Sequence, residues 1–384
     1  MSQFIIRRVV RGVIALFLFQ FLLLALIYNV PYNFATLSAL AGPARRAFIE
    51  QRLGLDQPLW EQYLRWMQSF LLGDFGVSFQ FAPTTVIQVL TGSAARSMLL
   101  FFSATLIAYV LGIWLGKIIA WHRGSLFEAG ITLGGVAGYT AFAPWLGFVA
   151  INVFAWNLGW LPYNKIVNPN VWLNSPVRID WVLGKLVLSA VVAALILWGA
   201  HHLTTRVRNG GARRGLRAAA LVVGLGMIST WWVQEGVAVY AADVLRHLYL
   251  PLGTVIMLSF GETMMLMRTA MLETMQEDYV LTARAKGLPD DVIRDRHIAR
   301  NALFPVFTRM LLNLPFVLLG SLVIEQVFDW QGIGVILFNA IEFQDLPILM
   351  GFLSIVGMLT LSAHIFLDVL YVYLDPRLRL AQVA

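Results

Sequence analysis

The sequence predicts an all-α polytopic membrane protein with about eight spans, on three observations. Of the 384 residues, 59% are hydrophobic and only 13% charged, against about 25% charged in soluble domains. Mean hydropathy is +0.73. Several apolar runs reach the roughly 20 residues that a helix needs to cross a bilayer. The candidate spans cover about 9–29, 98–120, 130–156, 183–203, 216–234, 248–268, 305–325 and 347–372.

The first span follows a basic stretch, Arg7, Arg8 and Arg11. No small-residue cleavage site comes after it, so it reads as a retained span and not a cleaved signal. In segment 30–97, Leu59, Trp60, Tyr63, Leu64 and Met67 recur at helical spacing, which predicts an amphipathic helix lying at the interface or on the bundle. Gly73-Asp74 ends it. Segment 157–182 is rich in Trp and Pro (Trp160, Pro162, Trp172, Pro176, Trp181), a composition suited to the headgroup zone. Spans four and five form a hairpin around TTRVRNGGARRGLR, which has five Arg and no acid. The loop reads as a topology anchor in preference to a nucleic-acid or lipid site.

Charge bias orients the chain. One side holds Arg7, Arg8 and Arg11; Lys117 and Arg123; five Arg from Arg206 to Arg217; seven basic residues from Arg268 to Arg309; and Arg377 and Arg379. These are 19 of the 28 Lys and Arg. The short loops of the other side hold only Lys165, Arg178, Lys185 and Arg246. The positive-inside rule therefore places both termini in the cytoplasm.

No catalytic constellation is present. The absence of cysteine excludes disulfides and thiolate metal sites. There is no P-loop; the nearest string, Gly112 to Ile118, has the wrong spacing. No H-E-x-x-H or G-x-S-x-G occurs. His201 and His202 are adjacent, so on a helix they point apart and mark a membrane edge more than a metal site. The expectation is a chain with no catalytic site, no metal and no cofactor of its own. Intramembrane ionisable groups are the functional candidates, because placing them in lipid is costly. Glu262, in LSFGETMML beside Ser259 and Thr263, lies mid-span. It is expected either to face a translocation path or to hydrogen-bond a neighbouring helix. Asn152, Asn313 and Ser321 are further candidates for lining a path. Glu325, Asp329, His364 and Asp368 sit nearer span ends, where solvation is easier. Gly332 and Gly334 in WQGIG suggest a tight re-entry or turn at the outer face.

The most informative stretch is the charged island from Thr274 to Pro305, TMQEDYVLTARAKGLPDDVIRDRHIARNALFP. Thr274 and Glu277 match a capping box. The helix then runs through Tyr279, Val280, Ala283 and Arg284 to Lys286. Gly287 follows where a helix needs a left-handed stop, and Pro289 prevents continuation. Asp290 or Asp291 is expected to cap a second helix with an apolar side of Val292, Ile293 and Ile298. Small residues at Ala283, Ala285 and Gly287 permit close approach by another protein's backbone. A DNA-binding role fails on context: the unit is tethered to the membrane at both ends and its acids nearly cancel its bases.

This island resembles the EAA loop of binding-protein-dependent ABC importer permeases, in the version of the oligopeptide/dipeptide/nickel subfamily. The matching residues are Asp278-Tyr-Val280, Thr282-Ala-Arg-Ala-Lys-Gly-Leu288, Arg296-His297, Arg300-Asn-Ala-Leu303 and Pro305. Three colinear stretches fit as well: the N-terminal FIIRR, LGLDQPLWEQYLRW with GDFGVSF, and VIEQVFDWQGIGVILFNAI through LDVLYVYLDPRLR. The resemblance covers most of the chain outside about 157–247. Tyr28-Asn-Val-Pro-Tyr32 departs from it, lacking the usual Pro-Gly-Asp element.

The resemblance implies a type I ABC importer transmembrane fold: a six-span core to which the hairpin at about 183–234 is an insertion. It divides the chain into 1–97, a first span with an extracytoplasmic amphipathic segment, and 98–384, the permease transmembrane domain with a coupling loop at 274–305. It implies coupling to ATPases through Tyr279, Thr282, Ala283, Arg284, Ala285, Lys286, Gly287 and Leu288. The implied partners are a second homologous permease, two cytoplasmic ATPases that hold ATP and Mg, and an extracytoplasmic substrate-binding protein, all at the plasma (inner) membrane of a bacterium or archaeon. No nucleic acid is expected. The expected substrates are peptides, then oligosaccharides or metal chelates. The alternative is an ion-gradient-driven secondary transporter, which the charged loop does not support.

Overall fold

The structure is a computed structural model describing residues 2–28, 57–163, 165–204, 210–319 and 321–374. The stretch containing Asn29 to Tyr32, part of the loop with Arg206 and Arg208, and Arg377 and Arg379 lie outside the described residues. Among the described residues the regular elements are helices, with one isolated antiparallel bridge, Val77 to Thr85.

Helix α1 is Ser2–Tyr28 and α2 is Leu59–Leu72. A 36-residue α3, Val86–Trp121, descends to the turn before α4, Leu126–Thr140. The chain then bends by 106° into α5, Ala143–Ala150, which continues as a π-helix, Ile151–Asn157. Helices α6, Ile179–Thr204, and α7, Gly210–Gln234, form a hairpin. The 37-residue α8, Ala238–Thr274, leads to the charged island, where α9 is Asp278–Ala285. Then come α10, Ala299–Leu319, two short helices α11, Leu322–Val327, and α12, Ile333–Glu342, and α13, Leu346–Leu374.

Among the described residues, six helices are long and apolar enough to cross a membrane, or seven if the bent pair is one span. These match seven of the expected spans. The eighth corresponds to α10, whose 21 residues extend about 31 Å, close to the hydrocarbon thickness. It starts six residues earlier than expected and ends at Leu319, before α11 turns away.

The most extensive helix–helix contact is between α3 and α8, and α4 packs on another face of α8. Small residues allow this, as at many membrane helix crossings. A Cβ at Gly116 would lie 2.6 Å from the Met264 carbonyl oxygen, and one at Gly112 2.7 Å from Thr263 Cβ. The glycines that superficially suggested a phosphate loop are thus packing positions. Helix α10 closes against α3, α8 and α13.

Two sequence expectations shift here. Helix α2 exists and ends at Gly73, in the left-handed region at φ 72°, but its packed face is rotated from the expected one. Gln62 and Met67 are buried, and Trp66 donates to Gln20 Oε1 of α1 at 3.1 Å. Trp60 and Leu64 are exposed. A buried polar partner, Gln20, which also accepts from Ser354 of α13 at 2.8 Å, decides the face over hydrophobicity alone. Lys185, expected in an outer loop, lies on α6. Its side chain is buried beside Glu235 at 2.6 Å, with the rings of Trp181, Trp231 and Trp232 at 5.2, 4.3 and 4.5 Å. This cluster fastens the hairpin at the end opposite its loop. The hairpin is otherwise peripheral: most of α7 is not buried against the rest of the protein.

Candidate functional site: a helical turn and the ion pair above it

The charged island is built on a packed base. From α9, Val280 and Ala283 point into an apolar cluster with Met267, Met271, Ile293, Ile298, Ala302 and Val306. The rest of the α9 surface is turned outward: Tyr279, Thr282, Arg284, Ala285, Lys286, Gly287 and Leu288 are exposed. Ala283, expected on that surface, is 5% exposed and faces the core instead. An alanine there lets α9 lie flat on the ends of α8 and α10.

Caps and turns fix the shape. The Gly287 N–H donates to the Arg284 carbonyl at 2.9 Å, and that of Leu288 to Ala283 at 3.4 Å. Gly287 takes φ 70°, the left-handed conformation that ends helices at little cost for glycine. The expected capping box does not form. Thr274 belongs to the last turn of α8, where its hydroxyl donates to the Ala270 carbonyl at 2.7 Å, and α9 starts after Glu277 with no side-chain cap. A hydroxyl in a helix's last turn readily bonds back to i−4. Neither Asp290 nor Asp291 caps the next helix; that position is Pro289. The helix from Asp290 runs through a π-helix, Ile293–Ile298, directly into α10. The expected second loop helix is the base of a span.

Ion pairs tie this base to its neighbours. Asp295 Oδ1 lies 3.1 Å from Lys117 Nζ of α3 and accepts from Arg294 Nε at 2.9 Å. The Arg294 hydrogen bonds, with Lys117 adding to them, hold the Asp295 carboxyl down at about 2. Asn301 donates to the Tyr279 hydroxyl at 2.7 Å, joining α9 to α10.

Farther into the bundle, Glu262 of α8 meets Arg309 of α10: Nη2 to Oε1 is 2.8 Å and Nε to the same oxygen is 2.9 Å. Arg309, counted above with the basic loop, lies ten residues inside α10. Its position four residues beyond Pro305, within the expected span, was the signal. One turn further, Asn313 donates to the Tyr109 hydroxyl at 3.2 Å. Ser259 is half-buried, one turn before Glu262. The structure thus brings Glu262 and Asn313 to one region and leaves two other candidates elsewhere. Ser321 accepts from the Ile324 N–H at 3.4 Å as the cap of α11. Asn152 pairs with Asn157 at 3.0 Å and lines a cavity of about 610 Å³ with Trp145, Phe148, Trp156, Tyr163 and Asp329.

At the opposite end, Glu325 is fully buried, contrary to its expected solvation near a span end. Its carboxyl accepts from Ser97 Oγ at 2.5 Å and from the Val335 N–H at 3.1 Å. Gly332 and Gly334 make the expected tight turn, and Glu325 Oε2 would lie 2.9 Å from a Cβ at Gly334.

Residues 216–380 match the family described as binding-protein-dependent transport system inner membrane component, and residues 1–87 match its N-terminal counterpart. The chain is 31% identical to the di/tripeptide transport system permease protein DppB of Pseudomonas aeruginosa, over 94% of this chain and 93% of that one. It is 30% identical to the probable D,D-dipeptide transport system permease protein DdpB of Escherichia coli, over 86% and 83%. The oligopeptide transport system permease protein AppB of Bacillus subtilis is 25% identical over 98% and 99%. The chain belongs to this permease family. It is a multi-pass inner-membrane permease subunit of an ABC importer, and the charged helical turn and the bundle above it are the permease's own. In this permease the turn faces outward and joins the end of α8 to the start of α10.

Proposed function

We propose that this permease forms half of a translocation path for peptides and couples it to cytoplasmic ATPases through α9 and the following turn. One observation carries the coupling assignment: α9 and the turn after it present an exposed face of Thr282 and Arg284 to Leu288, while Val280 and Ala283 seat α9 on the ends of α8 and α10. A subunit gripping that face can tilt both helices, as a partner with two states requires. The relatives' names, di/tripeptide, D,D-dipeptide and oligopeptide permeases, support peptides as the solute.

In this reading both termini are cytoplasmic, a second homologous permease completes the path, and an extracytoplasmic binding protein delivers solute. ATP and Mg²⁺ are held by the two ATPases. Residues 98–384 form the transmembrane domain behind the 1–97 segment, with α6–α7 as an inserted hairpin. The path-lining candidates are Glu262, Ser259 and Asn313, with Asn152 nearer the opposite end.

Gly287→Asp tests the coupling. No atom lies within 4 Å of a Cβ there, so the new side chain projects into the proposed docking surface and the left-handed φ costs only about 1 kcal/mol. The expected result is normal membrane insertion, loss of co-purifying ATPases and at least ~10-fold lower ATP-dependent peptide uptake. Wild-type uptake by this variant would defeat the assignment. Peptide uptake driven by an ion gradient without ATPases would establish a secondary carrier instead.

A further inference from the structure

Two ion pairs mark the loop end of the bundle: Lys117 with Asp295 at 3.1 Å, and Arg268 with Glu128. Glu262 stands six residues above Arg268 on α8, about 9 Å. Arg309 stands ten residues above the start of α10, about 15 Å. Both therefore lie inside a hydrocarbon layer about 30 Å thick. Yet their side chains are 34% and 51% exposed on this chain. Charged groups at such depth face an aqueous cavity or another protein surface and avoid lipid.

The pair is also half-open. Arg309 Nε and Nη2 both donate to Glu262 Oε1. Among the described residues neither Glu262 Oε2 nor Arg309 Nη1 makes a hydrogen bond. One carboxylate oxygen and one guanidinium nitrogen are left to a third party. The pair is braced from behind: Tyr109, which accepts from Asn313 one turn beyond Arg309, is buried in the apolar cluster beneath α10.

We infer that Glu262 and Arg309 form a solute subsite, accepting an ammonium group at Glu262 and donating to a carboxylate at Arg309. A solute carrying both groups, such as a peptide with free termini, fits this subsite. It replaces one pair of charge contacts with two and is not required to desolvate a lone charge. A solute with one terminus blocked can open the pair only by leaving one partner uncompensated. The inference deepens the peptide-path reading above and rests on it.

The test uses the complete importer with its ATPases, second permease and binding protein in vesicles. A mixture of one dipeptide in free, N-acetylated and C-amidated forms is supplied, and internalised forms are quantified together. The ratio of forms is read within the same vesicles, so it does not depend on how many complexes assemble. For Glu262→Gln the preference for free over N-acetylated peptide is expected to fall about 10-fold, while free over C-amidated changes little. Arg309→Gln should give the mirror pattern, and Arg309→Lys, which keeps the cation, should retain the wild-type ratios. Ratios unchanged in both Gln variants, whatever the loss of rate, would reduce the pair to a clamp between helices or a seam with the second permease. Failure of the wild-type importer to take up any form would overturn the peptide reading itself and the subsite with it.

Discussion

At the loop end, Asp295 meets Lys117 and Arg294 with 42% of its side chain exposed. At the opposite end, Glu325 and Asp345 have no exposure at all. Glu325 receives Ser97 and the first turn of α12. Asp345 receives Ser78 Oγ at 2.5 Å and the Gln80 N–H at 3.0 Å, and caps α13 at the Ile348 N–H, 3.4 Å. The first arrangement keeps its paired charges partly in solvent. The second encloses two carboxyl groups, using them to join α3, α11, α12, α13 and the segment after α2. On the proposed coupling role the loop end has to engage and release, which suits charges that stay in solvent. A frame against which spans tilt has to hold, so its polar groups are enclosed and matched.

The largest expected effect is at the frame. Glu325→Ala leaves Ser97 and the Val335 N–H buried with no acceptor, at a cost of roughly 3 kcal/mol or more. Thermal unfolding of the detergent-solubilised complex measures it. A change below about 1 kcal/mol would show that the far end is no more locked than the loop end, and the contrast would collapse.

A middle-sized effect is expected from pH. Glu325 belongs to α11, too short to span, and Ser97 beside it stands 20 residues above Lys117, about 30 Å, at the far boundary of the hydrocarbon. Burial pushes the Glu325 carboxyl up to about 7 from 4.5, against the opposing hydrogen bonds of Ser97, Val335 and Gly334. The folded state therefore holds the proton more tightly than the unfolded chain. The stabilisation is complete below pH 4.5 and is lost as pH rises through about 7. The unfolding midpoint should fall between pH 5 and 8, and Glu325→Gln, which does not titrate, should flatten that slope. Equal slopes for both proteins would remove Glu325 as the source.

The same contrast explains which features were legible in the sequence. Apolar run lengths located the spans, and Gly287 and Gly73 marked helix ends, because both signals are local. Glu325 was placed near solvent because nothing local announces that Ser97, 228 residues away, and the WQGIG turn enclose it. Arg309 was counted with the loop because its partner Glu262 is 47 residues distant. The α2 face was rotated by Gln20, a contact no helical periodicity contains. Thr274 misled for another reason: its hydroxyl had two competing local partners, and the one in its own helix won. The turn proposed for coupling is contiguous in sequence; the ion pair and the frame are assembled from distant segments.

The smallest expected effect is at the loop end, and it is the sharpest check on the contrast. Asp295 is held down at about 2 from 3.8 by Arg294 and Lys117. Its contribution is present above pH 3.8 and lost as pH falls toward 2, so it is complete at neutral pH. Because the side chain is largely solvated, the pairs contribute about 0.2–1 kcal/mol. Asp295→Asn should lower stability by no more than that, and 1 M salt should erase most of the difference by shortening the screening length to about 3 Å. A salt-insensitive loss near that of Glu325→Ala would show that this carboxylate also locks the bundle, and that the loop end moves only together with α3.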